Sequence, residues 1–139
     1  MTYVDALQAA LAAEHAALFV VGYLGAQTSE SASPDLYDAL QESYDAHRTR
    51  RDQLVGLVED AGAEPVAAAP SYALPQVGPG AAGQVAAAAL AVERACGATY
   101  GFWVANAAPA QRRPAVAAVL DSARRELALG GEPRAYPGR

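Results

Sequence analysis

Four prolines at positions 65, 70, 75 and 79 divide this chain into two halves, and that division most constrains its fold. The segment AEPVAAAPSYALPQVGPG, residues 63–80, cannot be helix, because each proline removes a backbone donor and clashes with the preceding turn. On both sides of it the apolar residues recur at three-and-four spacing, the helical period. On the N-terminal side, helix one is expected over about 2–27, with Leu7, Leu11, Glu14, Leu18, Val21 and Gly25 on one stripe. Thr2 or Asp5 suits its cap. Helix two is expected over about 33–61, with Pro34 in its first turn, His47 on its stripe and Gly62 as its stop. Helices three and four are expected over about 81–107 and 110–130. Pro114 is tolerable only near the start of the last.

The connections therefore run short, long, short. A structureless link of about 18 residues needs a reason, and length supplies one. Helix two, at about 28 residues, is roughly 42 Å long. An extended proline-rich strap of about 18 residues reaches roughly 56 Å. The strap can travel the full length of a bundle and start helix three at the opposite end, with Tyr72 and Leu74 pinning it. One long crossover between two antiparallel hairpins defines an all-α, ferritin-like up-down four-helix bundle. A chain of 139 residues is one domain. About a quarter of its residues are Ala, which favours helix and lets helix axes approach closely. The tail GGEPRAYPGR is expected to be irregular and anchored by Tyr136 and its prolines.

The halves resemble each other. LAAEHA at 11–16 matches LAVERA at 90–95, an offset of 79, which also pairs Gly22 with Gly101 and Tyr23 with Phe102. Pro34 and Leu40 pair with Pro114 and Leu120 at an offset of 80.

Charge and composition exclude several classes. The net charge is −5, all ten basic residues are Arg, and the only basic clusters are Arg48-Arg50-Arg51 and Arg112-Arg113, too little for a nucleic-acid face. The single cysteine, Cys96, has no intramolecular partner and reads as a small core residue. The N-terminus lacks the basic start of a secretory signal. The apolar run from Ala16 to Gln27 is too short to span a bilayer. The expectation is a cytoplasmic protein without membrane or nucleic-acid partners.

Inward-facing polar residues carry the functional reading. A carboxylate-bridged di-metal centre in such a bundle takes one Glu from each of two helices and Glu-x-x-His from each of the other two. Helix one offers Glu14 and helix three offers Glu93, at equivalent places in the repeat. Helix two offers His47, with Tyr44 three residues before it in place of Glu. Helix four has no His, and its polar run DSARRE offers Asp121, Arg124 and Glu126. Two Glu and one His fall short of the four Glu and two His required. The metal candidates are Glu14, His47 and Glu93. The expected arrangement is a polar network in which Arg51 and Arg124 neutralise these residues with no cofactor. Iron or manganese in an altered oxidoreductase site is the alternative, and a small-molecule pocket around the same residues is another. His15 points away from Glu14, toward the surface or flank. Ala-rich faces and Trp103 suit a homodimer.

The pieces AAEHAALFVVGYLGA, YDAHRTRRDQLVGLVEDAGAEP, APSYALP, LAVERACGATYGFWV and PRAYPG resemble an actinobacterial family of ferritin-like domains of unknown function, DUF4439. The resemblance spans nearly the whole chain, with HRTRRDQL and APSYALP its most specific parts. It implies a ferritin-like bundle in the cytoplasm and no assigned activity. A non-catalytic bundle acting through protein contacts is the function expected.

Overall fold

The computed structural model describes residues 1–139 and contains four long helices: α1 (Tyr3–Ala26), α2 (Pro34–Asp60), α3 (Ala82–Asn106) and α4 (Arg112–Ala128). A single 3-10 turn at Pro109–Gln111 leads into α4, so that helix starts two residues later than expected. The caps follow from the residues. Thr2 Oγ1 accepts from the Asp5 amide at 3.1 Å while the Thr2 amide donates to Asp5 Oδ2 at 2.9 Å, a reciprocal cap. Pro34 is the first residue of α2. Gly62 and Gly130 take φ values of +80° and +90° just past the ends of α2 and α4, the left-handed conformation in which a side chain would be strained. Ala63 N–H then donates to Val58 O (3.1 Å) and Gly131 N–H to Glu126 O (2.8 Å), satisfying carbonyls that each helix end leaves open.

The chain is an all-α four-helix bundle with a long loop, residues 61–81, between α2 and α3. The loop runs alongside α1 from start to end. Gln8 donates to Glu64 O (2.7 Å) and accepts from the Val66 amide (2.9 Å). His15 Nε2 lies 2.9 Å from Val66 O. The Tyr72 ring packs on Phe19 with centroids 5.6 Å apart, and Tyr23 borders residues Leu74–Val77. Helix α3 therefore begins beside the end of α1. Leu74 is 43% exposed, whereas Val77 packs against the core and Gln8 and His15 hold the start of the loop. Polar anchors suit a loop whose backbone groups have no ladder to join.

Helix α1 packs on α2 and α3, and α3 packs on α4. By length and composition α1 could cross a bilayer, but here it is the central helix, and its buried residues serve both halves of the core. One apolar cluster joins Leu7, Leu11, Leu54, Val58, Tyr100 and Trp103. The other joins Val21, Leu24, Leu40, Val85 and Ala89. Trp103 is fully buried, so it fills the core and is not available to a partner.

The tail is held differently from expectation. Tyr136 is 70% exposed. The anchors are Arg134, bound to Glu126 at 2.8 and 2.9 Å, and Gly138, which lies on α3 so closely that a Cβ on Gly101 would stand 2.3 Å from its carbonyl oxygen.

Leu54→Ala should lower the free energy of unfolding by about 2–5 kcal/mol, measured by urea denaturation. Leu74→Ala should change it by no more than about 0.5 kcal/mol.

Candidate polar centre of the bundle

Between the two apolar clusters lies a single polar layer. It is set by helical register. Glu14 stands one turn past Leu11 on α1, His47 one turn past Ser43 on α2, and Glu93 one turn past Ala89 on α3, all on buried stripes. Glu14, His47 and Glu93 have no solvent exposure. Buried charges of this kind persist only when paired and hydrogen-bonded.

His47 supplies the pairing. Its Nδ1 is 2.6 Å from Glu14 Oε2 and its Nε2 is 2.9 Å from Glu93 Oε1. A carboxylate can only accept, so both ring nitrogens donate, and the ring is an imidazolium. Burial by itself would lower the His47 pKa; the hydrogen bonds to Glu14 and Glu93 and their charges prevail and raise it from 6.5 to about 9. Burial likewise pushes Glu93 up, and His47, the Arg125 charge and Ser43 bring it down from 4.5 to about 2.

The remaining acceptors are filled. Glu93 Oε1 also receives Ser43 Oγ (2.8 Å) and Arg125 Nε (2.9 Å). Ser122 Oγ donates to the Glu93 carbonyl (3.0 Å), with Glu93 Oε2 at 3.3 Å. The Tyr100 hydroxyl donates to Glu14 Oε1. Two carboxylates, one imidazolium and one guanidinium sum to zero. Cys96 lies beside this layer with its thiol pKa pushed well up, first by burial and then by the Glu14 and Glu93 charges.

The structure brings Glu14, His47 and Glu93 together as expected from the stripes. It places the expected arginines elsewhere. Arg51 pairs with Asp52 at 2.9 Å at the bundle edge. Arg124 is 75% exposed and pairs with Asp121 at 3.2 Å. Arg125, one residue on, is the cation that reaches Glu93. One residue is about 100° of helix rotation, enough to exchange an outward guanidinium for an inward one. The repeat also needs a correction between α2 and α4. Ser43 and Ser122 share Glu93, and His47 and Glu126 are both buried, which continues the offset of 79 already shared by Glu14 and Glu93. The offset of 80 fails, since Leu40 is buried and Leu120 is 47% exposed. Ser122 and Arg125 escaped the sequence reading. The serine pair at the repeat offset was the one signal available for them.

These residues do not fit a carboxylate-bridged pair of metal ions. On α4 the groups that face Glu93 are a hydroxyl and a guanidinium, Ser122 and Arg125, and the helix carries no Glu-x-x-His. On α2, Tyr44 is turned toward Gly22, its ring carbon 3.5 Å from where a Cβ there would be. Glu126, the one further buried carboxylate on α4, is bound by Arg134 and lies 3.7 Å from Arg94.

The family described as "Domain of unknown function (DUF4439)" matches residues 6–139, and the chain belongs to that family. It is also similar to the crystal structure of a conserved hypothetical protein, rv2844, from Mycobacterium tuberculosis. The identity is 28%, the TM-score is 0.81, and the match covers 90% of this chain and 92% of that one. No curated protein matches the chain.

Arg125→Ala should destabilise the fold by about 3 kcal/mol, because it leaves Glu93 short of a buried counter-charge. Arg124→Ala should cost no more than about 0.5 kcal/mol. The pH dependence follows from the same pairings. The His47 contribution is complete below pH 6.5 and is lost as the pH rises through about 9. The Glu93 contribution is complete above pH 4.5 and is lost as the pH falls through about 2. Stability measured by denaturant at a series of pH values should therefore be flat between 4.5 and 6.5 and fall on either side. His47→Gln should remove most of the alkaline decline.

Proposed function

We propose that this chain is a ferritin-like, non-catalytic bundle with a degenerate metal site, acting through protein contacts as a cytoplasmic homodimer. One observation carries the reading. His47 donates from both ring nitrogens to Glu14 and Glu93, and Arg125, Ser43, Ser122 and Tyr100 occupy the other sides of those carboxylates. Iron or manganese would need several of these oxygens at once, and taking those of Glu93 would strand the Arg125 guanidinium in the interior. The crossover path of residues 61–81 alongside α1 supports the ferritin-like assignment, since a single long connection between two helical hairpins is the pattern of that architecture.

The outer face of α3 and α4 supports the contact role. Phe102, Val116 and Leu120, between 41% and 52% exposed, surround an apolar cleft of about 500 Å³. An antiparallel helix pair with a central apolar stripe is self-complementary about a twofold axis, which suits a second copy of the chain. A small-molecule role for the polar layer has less support. Clefts of about 360, 470, 500 and 610 Å³ open on the bundle, and none is lined by Glu14, His47 or Glu93.

Titration with Fe²⁺ or Mn²⁺ should give no stoichiometric uptake, and light scattering should give the mass of a dimer that Leu120→Arg converts to monomer. One tightly bound iron or manganese per chain, lost on Glu93→Gln, would replace this reading with the oxidoreductase alternative. A monomer at every concentration would remove the homodimer.

A further inference from the structure

A second set of ligands lies on the other side of His47. Glu14 on α1, His47 on α2 and Cys96 on α3 each offer one ligand atom, and these atoms all lie within 4.8 Å of one another. All three residues are buried. The set differs from the di-metal demand in two ways. It includes a sulfur, and it leaves Glu93 where it is, with Arg125, Ser43 and Ser122. Cys96 is also the weakly engaged member of the layer. Its contact with the Ala13 carbonyl is a long one, 3.8 Å, and the Tyr100 hydroxyl is its other polar neighbour.

We propose that Glu14, His47 and Cys96 form a site for a single borderline-soft divalent cation of the zinc or cobalt(II) type. The donor set selects the ion. One thiolate, one imidazole and one carboxylate suit a tetrahedral centre, whereas manganese, magnesium and calcium ask for more oxygen ligands. Tyr100 is already hydrogen-bonded to Glu14 and would orient that carboxylate toward the ion. A tetrahedral ion with bonds of about 2.0–2.3 Å holds its ligands about 3.3–3.8 Å apart. Glu14 and His47, now 2.6 Å apart, must separate by under about 1 Å. Cys96, within 4.8 Å of both, has to close in by a similar distance.

Charge also balances. A divalent ion enters as the imidazole Nδ1 proton and the thiol proton leave to solvent, so the layer keeps its sum of zero. His47 Nε2 goes on donating to Glu93, which holds the ring in the tautomer that presents Nδ1 to the ion and raises its basicity as a ligand. The site lies within the core, so loading accompanies folding.

The test is refolding of the full chain with Co²⁺ alone under anaerobic conditions, read by absorption spectroscopy and elemental analysis. The proposal expects one cobalt per chain, the visible bands of a tetrahedral ion and a near-ultraviolet thiolate-to-cobalt band. Cys96→Ala, which an Ala-rich helix should accommodate with its far-ultraviolet circular dichroism unchanged, should abolish the thiolate band and weaken binding by at least about tenfold. Glu14→Gln should weaken binding to a similar degree, and His15→Gln, outside the site, should leave it unchanged. Wild-type protein without the thiolate band, or a band that survives Cys96→Ala, would overturn the proposal. A cobalt stoichiometry abolished by His15→Gln would do the same by placing the ion elsewhere.

Discussion

The imidazolium of His47 between Glu14 and Glu93 is the constraint around which the bundle is arranged. It joins α1, α2 and α3 at one level with two short charged hydrogen bonds among side chains closed to bulk solvent. Interactions of this kind are expensive to leave half-made. Once His47 and the two glutamates are interior, a second cation, Arg125, and two serines must stand close by. Tyr100 must turn its hydroxyl inward as well. The polar layer separates two apolar clusters and sets their register, because a shift of one residue on any helix would move its polar group about 100° out of the layer.

The long connection serves that arrangement. Because residues 61–81 run along α1 from Gln8 past Phe19 to Tyr23, α3 starts beside the end of α1 and carries Glu93 down to the level of Glu14. A short turn in place of the loop would start α3 at the far end and reverse its direction. The tail has a comparable part on α4. Arg134 covers Glu126, which occupies the position equivalent to His47 in the second hairpin. Two related hairpins have thus settled two buried polar positions differently, one as a histidine held by carboxylates and the other as a carboxylate held by arginine.

Much of the architecture could be read from local chemistry. Helix limits came within a residue or two where a cap, a proline or a glycine marked them: Thr2 with Asp5, Pro34 and Gly62. Both ends of α4, which a 3-10 turn precedes, lay two residues inside the expected limits. The inward residues Glu14, His47 and Glu93 were legible because each interrupts an apolar stripe at helical spacing. Their cationic partner was not. Arg124 and Arg125 are adjacent and chemically identical, and the rotation of α4 about its own axis decides which one reaches Glu93. The tail anchors were hidden for a related reason, since Gly138 and Arg134 act through contacts with α3 and α4 that no local pattern encodes.

By itself, then, the sequence determined that this chain makes four helices, that a proline-rich strap parts them into two hairpins, and that two acids and one imidazole face inward. Periodicity, capping and proline sterics are properties of neighbouring residues along the chain, so they are independent of how the helices pack. Only the tertiary structure decided which groups neutralise those acids, that His47 is shared between them, and that Cys96 stands within reach of Glu14. Those facts depend on the rotation and height of each helix relative to the others, which are fixed by packing among residues far apart in sequence.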